Sequence, residues 1–235
     1  MHISIFDLHF SNCVFIGDNM KKLVILGFDG TFADTSPGIM HCFNTTATAM
    51  GYDPVDHDKL CSVIGIPLVA GFKTLFNMSD DEIKYASNNY SKLYSQKGKE
   101  MFTIYDGMEK TLEELKSKGC KLAIATQKHS MYTKDMLKAS DTAKFFDAVC
   151  ATDVDTNLEK SDLLLQACEK TGVDVSDAVF IGDSEMDALG AEKIGMDFAA
   201  ALYGCGFKSK EDAEKFNCKA YIKSASDICF ELLGI

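Results

Sequence analysis

Short, continuous runs of apolar residues recur along the chain and predict β-strands that are buried on both faces. A strand with one face in water would instead alternate apolar and polar residues. Four runs are clear and two are weaker, at residues 23–26, 122–125, 148–151 and 178–181, and then at 198–202 and 220–222. We therefore predict six strands.

Helical patterns lie between these runs. Met108, Leu112 and Leu115 fall on one helical face, and a second apolar stripe over residues 163–168 is followed by Gly172 as a stop signal. Strands that alternate with helices favour a parallel sheet covered by helices on both sides. The predicted fold class is α/β, with a doubly wound, Rossmann-like parallel sheet as its core.

Residues 37–103 break this alternation, because they show helical periodicity without a convincing strand. Within them Ser79 and Glu82 form a capping box that opens a long amphipathic helix. A helical insert after the first strand would cover the carboxyl end of the sheet, where open α/β sheets bind ligands. We predict an α-helical cap domain at 37–103 and an α/β core formed by 20–36 and 104–235.

The segment before Met20 is treated separately. Met20-Lys21-Lys22 resembles a natural start that leads into the first apolar run. Asp7 interrupts the preceding apolar stretch and no lysine or arginine comes before it, so a secretory signal fits poorly. We expect residues 1–19 to be an extension outside the core.

Composition narrows the range of partners. The formal net charge of -11 argues against nucleic acid or an anionic membrane surface. All of the 24 basic residues are lysines, so a bound phosphate would be met by ammonium groups and backbone amides. The nine cysteines contain no Cys-x-x-Cys pair, which favours reduced thiols and a cytoplasmic location. We expect a monomer or homodimer whose partner is a small molecule.

Several residues that could bind a ligand or take part in catalysis lie close to the predicted strand ends. Taken alone, each has a commoner explanation, namely a turn, a helix cap or a solvated lysine. Parallel strands, however, bring their carboxyl ends to one edge of the sheet, where carboxylates would suit Mg²⁺ while a hydroxyl and a lysine would suit a phosphoryl group. The residues are Asp29, Gly30, Thr31, Thr126, Lys160, Asp183 and Asp187.

Together these motifs resemble the haloacid dehalogenase-like superfamily, in particular its phosphoglycolate phosphatase-like branch with a helical cap. The resemblance runs from about residue 22 to residue 233 and includes three further motifs. They are Ile64-Gly65-Ile66-Pro67-Leu68, Tyr105-Asp106-Gly107 and Tyr203-Gly204-Cys205-Gly206. It implies hydrolysis of a small phosphorylated metabolite with Mg²⁺ as cofactor.

The resemblance also implies a role for each matching residue. Asp29 would be the general acid and base, and Asp183 would bind Mg²⁺ together with Asp29, with Asp187 directly beside the metal or one layer behind it. Four residues would contact the phosphate, with Lys160 also neutralising charge during catalysis. These four are Gly30, Thr126, Gln127 and Lys160.

The departure from the family pattern lies at the nucleophile. The family motif reads Asp-x-Asp-Gly-Thr, whereas this chain has Gly27-Phe28-Asp29-Gly30-Thr31. Glycine cannot form a phosphoenzyme, and it also removes one expected Mg²⁺ ligand. Either the chain is a pseudophosphatase that retains a ligand pocket, or one codon has changed in an otherwise working enzyme. A non-catalytic protein that binds a phosphorylated metabolite is therefore the alternative function.

The cap offers several polar residues that could contact the substrate, and none is favoured by its pattern. They are His41, Asn44, Lys73, Asn89 and Lys92. Lys128 is a better candidate, because it follows Thr126 at the expected active edge.

Overall fold

The computed structural model describes residues 14–16, 19–153 and 158–233, with ten strands among them. In chain order the strands are β1 Val14–Ile16, β2 Asn19–Lys21, β3 Leu23–Leu26, β4 Ala33–Asp34, β5 Thr103–Ile104, β6 Lys121–His129, β7 Ala148–Thr152, β8 Ala178–Gly182, β9 Asp197–Ala201 and β10 Cys218–Ile222. The α-helices are α1 Ser36–Ala49, α2 His57–Cys61, α3 Leu68–Phe76, α4 Asp80–Gln96, α5 Met108–Ser117, α6 Ser130–Ala139, α7 Lys160–Thr171, α8 Glu185–Lys193, α9 Lys210–Ala213 and α10 Ile228–Leu233.

Six strands form one parallel sheet in the order β10-β9-β8-β3-β6-β7. They are the six predicted from apolar runs, and the predicted α/β fold class is confirmed. In register, Leu23 of β3 lies opposite Lys121 of β6 on one side and Ala178 of β8 on the other. The chain leaves β3 toward β6 and β7 and then returns to the opposite side of β3 with β8. Such a reversal opens a crevice at the carboxyl ends of the strands.

Each face of the sheet packs against its own layer of helices, which explains the continuous apolar runs. Val24 and Leu26 of β3 point to one face, where they join a core that includes residues from α5, α6 and α10. Leu23 and Ile25 point to the other face, toward residues from α7 and α8. All four side chains have no solvent exposure. Successive side chains of β3 therefore pack into opposite hydrophobic cores, which leaves no position on this strand for a polar residue.

The helices α1 to α4 form a layer with a core of its own, built mainly from buried aromatic and aliphatic side chains such as Phe43, Leu60 and Phe72. Helix α4 begins with the predicted capping box, in which Glu82 accepts a hydrogen bond from the backbone amide of Ser79 at 2.9 Å. The antiparallel pair of β4 and β5 lies where the chain enters and leaves this helical layer. The exact domain boundaries at 36/37 and 103/104 stay predictions.

Part of the predicted extension 1–19 lies outside the described residues, namely 1–13, 17 and 18. Within the described part, β1 pairs with β2 in an antiparallel ribbon that joins Val14 to Lys21. The Lys21 side chain is buried, pairs with Asp197 at 2.7 Å and donates to the Ser176 carbonyl oxygen at 2.6 Å. Lys21 therefore belongs to the core, whereas the status of the extension stays a prediction.

None of the helices within the described residues is long and apolar enough to cross a membrane.

Candidate active site

A cavity of about 620 Å³ lies between the carboxyl edge of the sheet and the helical layer. It brings together seven of the eight residues predicted for the site. The seven that line it are Gly27, Asp29, Thr126, Gln127, Lys160, Asp183 and Asp187. Gly30 is not among the lining residues and lies behind the wall, against Asp183.

Gly27 directly follows β3, and its amide donates to the carbonyl oxygen of Ile181 at 2.9 Å. Its backbone is outside the left-handed region, so a residue with a side chain can adopt the same conformation. A Cβ atom here would lie 3.0 Å from Oγ1 and 3.3 Å from Cβ of Thr31, and 3.6 Å from the Ile181 oxygen. A Cβ atom at this position therefore needs a shift of a few tenths of an ångström in the buried Thr31, whose Oγ1 also donates to Asp183.

Asp29 is held by two donors on one of its oxygens. Its Oδ1 accepts from Nζ of Lys128 at 2.8 Å and from Oγ1 of Thr35 at 2.6 Å. Among the described residues no donor contacts Oδ2, which leaves that oxygen available for proton transfer. The Lys128 ammonium also lies 4.9 Å from the ring centroid of Tyr94 in the helical layer. Lys128 thus links the candidate acid and base to the layer above it.

Asp183 is buried and is held by neighbouring backbone amides. Its Oδ2 accepts from the amides of Cys205 and Gly206, each at 3.0 Å, and its Oδ1 accepts from Oγ1 of Thr31 at 3.2 Å. Burial, followed by the nearby charge of Asp187, raises the pKa of Asp183 to about 7. A nearby positive charge would therefore stabilise the ionised form of this buried carboxyl group.

Gly30 packs against this carboxylate, which explains why glycine is needed there. A Cβ at Gly30 would lie 2.2 Å from Oδ2 of Asp183, and the backbone φ of 76° also favours glycine. The resemblance implies that Gly30 contacts phosphate, but its amide donates to the Ala33 carbonyl oxygen at 2.9 Å. In this structure Gly30 allows close packing of the loop and its amide is already occupied.

Replacing Asp183 with asparagine is expected to stabilise the metal-free protein, and more so at about pH 8 than at about pH 5. The pKa of Asp183 is higher in the folded than in the unfolded chain, so this group lowers the free energy of unfolding. The destabilisation is absent below the unfolded pKa and grows as the pH rises toward about 7. Asparagine keeps an oxygen for the Cys205 and Gly206 amides. Melting temperatures in EDTA should rise by roughly 3 °C or more at the higher pH. An equal or negative shift at both pH values would contradict this explanation.

Lys160 and Asp187 form a buried ion pair, with Nζ 2.7 Å from Oδ1. Oδ2 of Asp187 accepts from the hydroxyl of Ser184 at 2.8 Å and from its amide at 3.2 Å, as the cap of α8. Both oxygens of Asp187 therefore already have protein donors. Asp183 likewise has donors on both oxygens, so occupied oxygens do not separate a supporting role of Asp187 from direct metal contact, and its role stays a prediction. Lys160 is the first residue of α7.

Thr126 and Gln127 lie within β6, which continues to His129 instead of ending at Thr126. The pairing of β6 with β7 is irregular between residues 126 and 129, and there the side chains turn into the cavity edge. Oγ1 of Thr126 accepts from the Lys128 amide at 3.1 Å, so its own proton can be donated elsewhere. The Gln127 side-chain amide donates to the Leu158 carbonyl oxygen at 3.2 Å.

The helical layer contributes mainly apolar and aromatic side chains to the cavity. None of the five polar residues considered above, from His41 to Lys92, is among the lining residues. The wall includes instead Ile39, Phe43, Tyr90, Tyr94 and the motif at 64–68. Burial raises the pKa of Tyr94 well above its usual value, with a further contribution from Asp29. Helical spacing in the sequence did not reveal which side of each helix faces the cavity.

Comparison with known proteins gives the family. The model of the haloacid dehalogenase-like hydrolase family matches residues 24–201. A 5'-nucleotidase of Pseudomonas aeruginosa is 26% identical over 190 residues, covering 80% of this chain and 85% of that protein. A phosphoglycolate phosphatase of Nitrosospira multiformis is 26% identical over 214 residues, covering 86% and 92%.

Solved structures agree with this family model. A haloacid dehalogenase-like family protein from Streptococcus pneumoniae superposes with a TM-score of 0.82 at 27% identity, covering 88% of this chain and 96% of that one. The family model alone spans most of the chain, including β3 through β9. The chain belongs to the haloacid dehalogenase-like hydrolase family, in its phosphoglycolate phosphatase-like branch, as the sequence motifs predicted.

Proposed function

We propose that this chain has the apparatus of a Mg²⁺-dependent phosphatase for small phosphate monoesters, and that Gly27 leaves it inactive or severely impaired. The observation that carries the proposal is the convergence of Asp29, Thr126, Lys160 and Asp183 on one cavity whose nucleophile position holds Gly27. Membership of a hydrolase family with phosphatase relatives supports the reaction class. Losing a covalent nucleophile removes the step that splits one difficult reaction into two easier ones.

The residues present fit a magnesium ion only in part. Asp183 supplies a carboxylate, the kind of ligand that Mg²⁺ prefers, and a nearby cation would relieve the raised pKa of this group. The Asp29 carboxylate, implied as a second ligand, has Oδ1 held by Lys128 and Thr35, and the proposed proton transfer uses Oδ2. An aspartate at residue 27 would add a third carboxylate, which glycine cannot supply. When bound, the ion would neutralise charge on the phosphoryl oxygens.

Phosphate binding and proton transfer would depend on side chains of the protein itself. Thr126 can donate its hydroxyl proton to a phosphoryl oxygen, and the Lys160 ammonium supplies positive charge close to that oxygen. Oδ2 of Asp29 would give a proton to the leaving oxygen and later take one from water. Lys128 holds Oδ1 of Asp29 in place, which fixes the direction of Oδ2.

The substrate class follows from the cavity and the relatives. The relatives act, by their names, on nucleotides or on phosphoglycolate, both of which are phosphate monoesters. The cavity volume of about 620 Å³ and its apolar upper wall suit a small metabolite with some apolar surface. The net charge of -11 supports the expectation of no nucleic-acid or membrane partner. We propose a cytoplasmic monomer or homodimer.

A second function is favoured by Gly27 itself. The cavity keeps Thr126, Lys160 and Lys128, three groups able to contact an anion, beside a nucleophile position that holds Gly27. A protein of this kind would bind a phosphorylated metabolite or partner without hydrolysing it. Ligand-dependent thermal stabilisation without phosphate release would favour this function.

The test is phosphate release from a panel of small phosphate monoesters, with Mg²⁺ and with EDTA, for the chain as given and for Gly27→Asp. Turnover confined to Gly27→Asp in Mg²⁺ is the expected result. Turnover by the chain as given would contradict the proposed role of Gly27. Binding without turnover in both proteins would favour the binding function.

A further inference from the structure

A cluster of two thiols and one imidazole lies where the helical layer meets the core. His57 and Cys61 are the first and last residues of α2, four apart and on one helical face. Cys205 belongs to the loop after β9. The candidate ligand atoms of these three residues all lie within 4.8 Å of one another. None of the three is among the residues that line the cavity.

The chemistry of the cluster suits a soft or borderline divalent cation. Thiolate sulfur and imidazole nitrogen are the ligands that Zn²⁺ prefers, and a His and a Cys four residues apart on a helix can reach one ion together. Cys61 and Cys205 are both buried, whereas about half of the His57 side chain is exposed. The two sulfurs would therefore be shielded, and the imidazole side leaves room for a water as fourth ligand.

Hydrogen bonds around His57 prepare one ring nitrogen for a metal. The Ser36 hydroxyl donates to Oδ1 of Asp34 at 2.6 Å, so its oxygen is left to accept from Nε2–H of His57 at 3.3 Å. With the ring neutral and Nε2 as the donor to Ser36, Nδ1 carries the lone pair. The sulfur of Cys61 lies 3.6 Å from Nδ1 and 3.7 Å from Nε2. A chain of this kind, from carboxylate through a donor to a ligating histidine, is typical of metal sites.

We propose that His57, Cys61 and Cys205 form a binding site for one Zn²⁺-like cation that fastens the helical layer to the core. Binding replaces two thiol protons by the metal and releases them to solvent. The site is also connected to the candidate active site, because the Cys205 amide donates to Oδ2 of Asp183 at 3.0 Å. Occupancy would hold the layer closed over the cavity and fix the loop that supports Asp183.

The test uses the full chain, reduced and freed of metal, with Co²⁺ and Zn²⁺ as probes. We expect one Co²⁺ per chain, with the absorption of a thiolate-to-cobalt charge transfer, displaced by Zn²⁺ and not by excess Mg²⁺. His57→Ala and Cys61→Ser should lose the absorption, and Ser36→Ala should weaken affinity by about 10-fold. Cys218→Ser, which removes a half-buried thiol elsewhere, is the matched control and should behave as the parent protein.

Two results would overturn the proposal. One is that cobalt uptake is absent, or that it is equal in the parent protein and in His57→Ala. Because His57 is half exposed, this variant tests the site even if a cysteine variant fails to fold. The other is a Cys61–Cys205 disulfide that forms in air while the reduced protein takes up no metal. A rise in melting temperature with Zn²⁺, seen in the parent and in Cys218→Ser but not in His57→Ala, would support the proposed fastening.

Discussion

Gly27→Asp is expected to raise the rate of phosphate-monoester hydrolysis in Mg²⁺ by about 10³-fold or more, the scale on which loss of a covalent nucleophile acts. The new carboxylate would stand directly after β3, on the cavity wall shared with Asp29 and Thr126. The tight contacts of its Cβ, at 3.0 and 3.3 Å, are both with the short side chain of Thr31, and the contact with the Ile181 oxygen at 3.6 Å is an ordinary one, so we expect the fold to accept it. The measurement is kcat/KM for the best monoester of the panel.

Gly27→Asn is the matched control for this gain. Asparagine has nearly the same shape as aspartate but cannot attack phosphorus to form an acyl phosphate. It should stay at the level of the parent chain, with a melting temperature similar to that of Gly27→Asp. Equal activity in the two variants would show that residue 27 acts through packing and would contradict the nucleophile assignment.

Asp29→Asn, made in the Gly27→Asp background, is expected to lower kcat by about 10² to 10⁴-fold, the usual contribution of a general acid and base. The leaving oxygen would lose its proton donor, while the asparagine side-chain oxygen could still accept hydrogen bonds from Thr35 and Lys128. The loss should be smaller for monoesters with a good leaving group, because these need less protonation. A plot of rate against leaving-group pKa measures this.

Asp135→Asn serves as the charge-matched control for that loss. Asp135 pairs with Lys99 at 2.7 Å and lies at the exposed surface. Its replacement removes one carboxylate without touching the cavity, so the rate should be unchanged. A loss in Asp29→Asn that is independent of the leaving group would contradict its role in proton transfer.

The sheet was predictable from the sequence because it is buried on both faces. Residues such as Leu23 to Leu26 have neighbours above and below, so burial leaves a local signature of uninterrupted apolar residues. The candidate residues Asp29 and Asp183 closely follow buried strands, and the parallel arrangement brings the ends of these strands together. The location of most of the candidate site was therefore contained in local patterns combined with one rule of topology.

The hydrogen bonds and ion pairs between residues of the site were not predictable in the same way. The pair of Lys128 with Asp29 joins residues far apart in the chain, and its geometry depends on how β6 turns after Thr126. The occupied amide of Gly30 and the capping role of Asp187 depend on loop conformation. The proposed thiol cluster needs α2 and the loop after β9 to meet, which neither segment indicates alone. Such contacts come from tertiary packing.

The most direct test of the account is to locate the covalent phosphoenzyme. Gly27→Asp would be mixed with its substrate in Mg²⁺, quenched in acid, treated with borohydride and digested, and the modified residue would be identified by mass spectrometry. We expect modification at residue 27 in this variant and none in the parent chain. Modification of Asp29, or of any residue in the parent chain, would contradict it.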